Sequence, residues 1–169
     1  MWHQEEITYL RAAYFQATNS PDVSTQNGSV LVAWDGSLIF GYNSPPLGID
    51  HTFDRLTGGD KYDWIVHAEH SAILHAASQG VSTFGATLYV PWFACIRCAV
   101  SIIQAGISRV VGHSLYHHFA SNINPKWNAS IEDGVAALEE ANVSVEWIES
   151  PVDAVPPILV GGAFFDPSV

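Results

Sequence analysis

TLYVPWFACIRCAVSIIQAGISRVVGH, residues 87–113, reads as strand, helix, strand. TLYV (87–90) and RVVGH (109–113) are short apolar runs of strand composition. Residues 95–105 between them form a predicted helix, closed by Gly106 with Ile107 behind it, the composition of a glycine C-cap. A strand, a crossover helix and a second strand pair in parallel through a right-handed connection. Open sheets of this kind bind ligands at the carboxyl ends of their strands, where the crossover helix begins. In this chain that helix begins at Cys95 and Cys98, the only two cysteines present.

The same alternation continues outward. HAEHSAILHAASQG (67–80) predicts a helix stopped by Gly80, and VSVEWI (143–148) predicts a last strand. Ser130 is expected to cap a helix running to about Ala141, although Gly134 weakens it by ~1 kcal/mol relative to alanine. Upstream, SVLVAWDGSLIFGYN (29–43) places two apolar strands around Asp35-Gly36, a hairpin signal. Residues 4–17 put Ile7, Leu10 and Tyr14 on one helical face and stop at Asn19-Ser20-Pro21. Residues 44–66 are rich in Pro, Gly and Asp and predict a long loop, functional or mobile. The expected fold is α/β: a five-stranded mixed sheet, an antiparallel hairpin plus three parallel strands, with helices on both faces. Residues 1–150 form the expected domain. The Pro-rich extension 151–169 is expected to run extended over it or onto a neighbouring subunit.

Composition narrows the function. A chain of 169 residues, 48% hydrophobic and 12% aromatic, suits one globular domain. No apolar run has the length of a membrane span, and MWHQEE resembles neither a signal peptide nor a basic transit sequence. Two cysteines cannot make a disulfide framework, and the expected location is cytoplasmic. The net charge of −11, from 17 acidic and 6 basic residues, argues against nucleic acid as a partner. It still permits a small anionic ligand.

Cys95 and Cys98 alone fit a redox dithiol, half of a structural zinc site, or part of a catalytic metal site. The discriminating feature is His67-Ala68-Glu69, at the start of the preceding helix and therefore at the same sheet edge. One imidazole and two thiolates give zinc three ligands and leave a fourth position open. Glu69, two residues from a ligand, is the candidate proton carrier. An H-x-E followed by C-x-x-C is the signature of zinc nucleobase deaminases.

Beyond these residues the chain resembles the deoxycytidylate (dCMP) deaminases, within the cytidine deaminase-like superfamily. STQNGSVLV is similar to that family's S-T-K-V-G-A-V-I-V, and FGYNSPPLG to its T-G-Y-N-G-x-P-x-G. DRLTGGDKYDWIVHAEHSAI follows its R-L…K-Y…V-H-A-E-x-N-A-I, and CIRCAVSIIQAGISRVV its C-x-x-C-A-x-x-I-I-Q-A-G-I-x-R-V-V. KWNASIEDGVAALEEANVSVEWI resembles its closing helix and strand. The resemblance implies a three-layer α/β/α fold and hydrolytic deamination of dCMP to dUMP with release of ammonia. Zinc would be held by His67, Cys95 and Cys98. Glu69 would protonate N3 of cytosine and then the departing amine. Asn43 would hold the sugar or phosphate, the backbone at Ala68 the pyrimidine, and Ser24, Gln26 and Tyr116 would lie near the nucleotide. The family's multimers imply a homo-oligomer.

Several positions depart from the pattern. Ala94 stands where the family has proline before the first cysteine, and Gln26-Asn27 where it has Lys-Val. Arg55 and Lys61, the cations of the long loop, are candidate phosphate contacts, with a solvated loop charge as the competing reading. Tyr62-Trp64 and Trp92-Phe93 could stack on a base or pack in the core. His113, His117 and His118 are expected to be ordinary surface histidines. Other cytosine nucleotides or nucleosides, or a purine base, are alternative substrates. A thiol–disulfide oxidoreductase and a non-catalytic zinc module are the alternatives outside the class.

Overall fold

The computed structural model describes residues 4–57 and 59–169. Helix α1 (Gln4–Ala17) precedes a hairpin of β1 (Gly28–Val32) and β2 (Leu38–Tyr42). Then come α2 (Phe53–Thr57), α3 (Lys61–Trp64), α4 (Ala68–Gln79), β3 (Thr87–Tyr89), α5 (Ile96–Gln104) and β4 (Arg109–His113). The chain continues through α6 (Ser114–Ile123), a 3-10 turn (Pro125–Trp127), α7 (Asn128–Glu140), β5 (Ser144–Ile148) and a second hairpin, β6 (Ile158–Val160) and β7 (Ala163–Phe165).

The main sheet has the order β2-β1-β3-β4-β5. β1 is antiparallel to both β2 and β3, whereas β3, β4 and β5 run parallel. This is the mixed five-stranded sheet expected from the sequence. Alternation along β1 and β2 divides the helices between its faces. Ser29 and Gly41 are paired, and Ser29 Oγ donates to the Ala68 carbonyl of α4 at 2.7 Å. Gly28, one residue away, meets α1 on the opposite face, where a Cβ would lie 2.1 Å from the Ala13 carbonyl. α5 and α7 pack on the α4 side. α6 joins α1 through the Tyr14–Tyr116 ring pair, 6.1 Å between centroids. Among the described residues no helix is long and apolar enough to cross a membrane.

Four features differ from the sequence expectation. The loop 44–66 holds two short helices, and its ends are tied together: Ser44 N donates to Val66 O at 3.1 Å and Val66 N to Ser44 O at 2.8 Å. That closure delivers the chain to His67 at the head of α4. Helix α6 fills a stretch that the sequence left unassigned. The tail forms a hairpin, because Ile158, Val160 and Phe165 alternate toward the core around Gly161-Gly162, both at positive φ. Finally, His113 is not a surface histidine but wholly buried. Its Nε2 reaches the Ser150 carbonyl at 3.1 Å, so that nitrogen carries the proton and Nδ1 accepts from Tyr14 Oη at 2.5 Å. Burial holds its pKa down at about 4, leaving the ring neutral.

Candidate active site

Both helices that begin at the carboxyl edge of the parallel strands start with a metal-type ligand. His67 and Cys95 occupy the N-cap positions of α4 and α5 in extended conformation, and their carbonyls accept from Ser71 N and Ala99 N at 2.9 Å each. Their side chains are therefore free to converge. Cys98 lies on the first turn of α5, fully buried. His67 Nδ1 is 3.6 Å from Cys95 Sγ and 3.4 Å from Cys98 Sγ, and the two sulfurs are 3.8 Å apart. A tetrahedral ion bound at ~2.3 Å to sulfur and ~2.0 Å to nitrogen requires separations of ~3.8 Å between sulfurs and ~3.5 Å between sulfur and nitrogen. The three atoms already have those spacings, so His67, Cys95 and Cys98 form a zinc site.

Electrostatics agree with that donor set. The Cys98 hydrogen bond, helped by His67, pulls the Cys95 thiol down to about 3, and in return the Cys95 contact and burial push Cys98 up. Burial opposes charge on His67, yet the Cys95 hydrogen bond and the nearby Glu69 and Cys95 charges raise its pKa on balance. One cation with two charges serves all three donors at once and lets both sulfurs ionise.

Two close approaches fix the geometry. Gly41 of β2 lies under the head of α4, where a Cβ would come within 2.4 Å of the Ala68 carbonyl. Gly134 of α7 lies against the other helix head, where a Cβ would be 2.5 Å from the Ala94 carbonyl and 3.1 Å from the Cys95 carbonyl carbon. Gly134 is thus more than a weak helix former, because its missing side chain lets α7 press on the Cys95 segment. Ser130 also differs from expectation: α7 starts at Asn128, and Ser130 Oγ accepts from Ile96 N at 3.4 Å, capping α5 instead of its own helix. Gly134→Ala gains ~1 kcal/mol of helix propensity but overpacks by ~1–3 kcal/mol. The expected result is a lower melting temperature and easier zinc loss to a chelator. A higher melting temperature with unchanged zinc retention would contradict this reading of the contact.

A pocket opens over the ligands. Its floor is His67, Ala68, Glu69 and Cys95, and its walls include Trp92, Phe93, Ile131 and Trp127. Glu69 is only 2% exposed, beside the Cys98 thiol, and burial raises its carboxyl to about 7. Trp127, which the sequence reading missed as a site residue, packs edge-on to His67 at 5.7 Å and to Tyr62 at 5.5 Å. Its only sequence signal is an aromatic just ahead of α7. Trp92 meets Trp127 at 6.3 Å, and its buried indole N–H has no partner among the described residues. Trp64 instead lies under the Arg55 guanidinium, 4.4 Å from its ring.

The residues named for substrate contact separate into two groups. Asn43 and Ala68 line the pocket. Asn43 Oδ1 accepts from Asn27 N at 2.7 Å and Nδ2 donates to Thr25 O at 2.8 Å, which leaves its amide half committed. Ser24, Gln26 and Tyr116 are not among the lining residues. Ser24 Oγ bonds Lys61 and Asp22, the Gln26 amide bonds Ser20 O and Leu159 N, and Tyr116 Oη donates to Gln26 O. Lys61 is no solvated loop charge. It is buried, with Nζ 3.1 Å from both Asp22 carboxylate oxygens and 2.7 Å from Ser24 Oγ.

Residues 3–114 match the model of the cytidine and deoxycytidylate deaminase zinc-binding region. An uncharacterized deaminase from the luxG 3' region of Aliivibrio fischeri is 33% identical over 86% of this chain and 92% of that protein. The mouse deoxycytidylate deaminase is 34% identical over 65% of this chain and 65% of its own length. The dCMP deaminase of cyanophage S-TIM5 shares the fold. Its apo form has a TM-score of 0.67 at 23% identity over 88% of this chain and 100% of that one. Its complex with dCMP and dUMP has a TM-score of 0.66 at 24% identity over 88% and 99%. The match across His67, Glu69, Cys95 and Cys98 makes the chain an enzyme of the deaminase class, a hydrolase acting on cyclic amidines, and it belongs to the cytidine and deoxycytidylate deaminase zinc-binding family.

Proposed function

We propose that the enzyme hydrolyses dCMP to dUMP and ammonia. The observation that carries this reading is Glu69, a buried carboxyl at the pocket floor beside the ligand set and not part of it. When bound, zinc acidifies water enough to make a nucleophile near neutral pH. Glu69 takes that water's proton and passes it to N3 of cytosine. Attack of the water oxygen on C4 leaves a hydroxyl there. Glu69 takes that hydroxyl's proton and gives it to the amine, the C4–N bond breaks, and ammonia leaves with the C4 carbonyl formed and the carboxylate restored. A carboxyl held near pH 7 by burial is suited to exchange protons in both directions. Tyr62, Trp92 and Trp127 form an aromatic wall for the base and exclude bulk water. Asn43 and the backbone at Ala68 orient the sugar and the pyrimidine. The relatives named deoxycytidylate deaminase support a 5′-phosphate.

Lys61 lines the pocket but is committed to Asp22 and Ser24. The phosphate is assigned instead to Lys126, beside the lining residues Tyr62 and Trp127; its ammonium donates to Tyr62 Oη at 2.6 Å and keeps two further N–H groups. The full commitment of Lys61, with a net charge of −11, also favours a second reading, a neutral cytosine nucleoside. Residues 1–150 would act as the deaminase domain, residues 151–169 as its extension, and the working form would be a homo-oligomer.

An ammonia-release screen over dCMP, CMP, dCTP, deoxycytidine, adenine and guanine separates these readings. The expected outcome is the highest kcat/KM on dCMP. Preference for deoxycytidine by ten-fold or more, about 1.4 kcal/mol, would favour the neutral substrate.

A further inference from the structure

The C-terminal hairpin does not line the pocket, yet it grips one of its walls. Gln26 N donates to Leu159 O at 2.8 Å, and Leu159 N returns a bond to Gln26 Oε1 at 3.2 Å. Gly161 N donates to Thr25 Oγ1 at 3.1 Å and Gly162 N to Ser24 O at 2.8 Å. β6 and the turn after it are therefore tied to residues 24–26 by two backbone and two side-chain hydrogen bonds. The next residue faces the site. Asn27 Nδ2 donates to Trp92 O at 3.1 Å, its Oδ1 accepts from Trp92 N at 3.3 Å, and its own N–H is held by Asn43.

A second route runs through rings. Phe165 of β7 meets Tyr116 edge-on at 5.0 Å, and Tyr116 meets Trp92 at 6.4 Å. Tyr116 Oη also bonds Gln26 O at 3.3 Å, which closes the two routes into one network. Thr25, Asn27, Asn43 and Trp92, where both routes end, all line the pocket. The hairpin itself lies beyond residue 114, where the family match stops.

We propose that the C-terminal hairpin positions the substrate pocket, and that Gln26 and Tyr116 serve the substrate by holding Thr25, Asn27 and Trp92 in place. The kinetic part of this proposal rests on the cytosine-deaminase reading, while the tether itself does not. Gln26 and Tyr116 are then positioning residues, and their loss loosens substrate binding without disturbing zinc or the proton path.

The test uses full-length Gln26→Ala and Phe165→Leu, the second keeping an apolar side chain in the hairpin. For Gln26→Ala, KM is expected to rise ~5-fold with kcat within ~2-fold of wild type, about what losing its two long side-chain hydrogen bonds, to Ser20 O and Leu159 N, allows. Zinc remains at one per chain. Phe165→Leu is expected to shift KM in the same direction and to speed amide hydrogen exchange at residues 25–27. An unchanged KM despite faster exchange there would overturn the proposal. So would a parallel loss of kcat and zinc, which marks a merely structural role. If the wild-type protein deaminates no cytosine compound, the functional reading fails and exchange alone decides the tether. Faster exchange at residues 25–27 and 43 in Phe165→Leu supports it, and unchanged exchange overturns it.

Discussion

Glu69→Gln is expected to leave one zinc per chain and to lower kcat for ammonia release by ~10³-fold or more, from the middle of the range for a lost general acid–base upward. Glutamine has nearly the same shape, so the packing around a side chain that is 2% exposed survives the change. What disappears is the ability to take the two protons of the attacking water in turn and deliver one to N3 and the other to the departing amine. Because Glu69 is outside the ligand set, metal content is not expected to fall with activity. Paired zinc and ammonia measurements on the same preparation check both halves. A variant that holds zinc and works at the wild-type rate would remove Glu69 from the mechanism.

Cys98→Ser has a larger effect on the protein as a whole. Cys98 is fully buried and lies 3.8 Å from Cys95 Sγ and 3.4 Å from His67 Nδ1, so removing its sulfur dismantles the tetrahedral set. Loss of tight zinc binding and of all detectable turnover is expected. A ligand present at 1,000 times its dissociation constant stabilises the native state by about 4 kcal/mol. For a chain of this size that corresponds to ~10 °C in melting temperature. Chelation is therefore expected to lower the wild-type melting temperature by about that much and to leave Cys98→Ser unmoved. Equal sensitivity of the two proteins to chelator would contradict the ligand assignment.

Much of this architecture was legible in the residues. The parallel core follows from TLYV, RVVGH and VSVEWI with glycine-stopped helices between them, because local periodicity and capping both act over a few residues. The metal site was legible for the same reason: His67, Cys95 and Cys98 owe their convergence to two helix starts at one sheet edge. Contacts made at long range left weaker marks. Nothing local in KWNAS says that Trp127 will face His67, and nothing in the sequence near Lys61 names Asp22 as its partner. A polar ring at His113 predicts exposure, and nothing local marks its buried partner Tyr14, 99 positions earlier. Gly134 looked like a cost to its helix, and only the tertiary contact with Ala94 shows why that position is glycine. Ala94 itself is fully buried, its carbonyl is the atom that Gly134 approaches, and it is not among the pocket-lining residues.

The most direct test of the central claim is ammonia and uracil-nucleotide release from dCMP by zinc-loaded enzyme, with and without a chelator. Deamination at this site predicts stoichiometric dUMP and ammonia at one zinc per chain, abolished by chelation and restored by zinc. One zinc per chain with no ammonia released from dCMP or any other cytosine compound would contradict it.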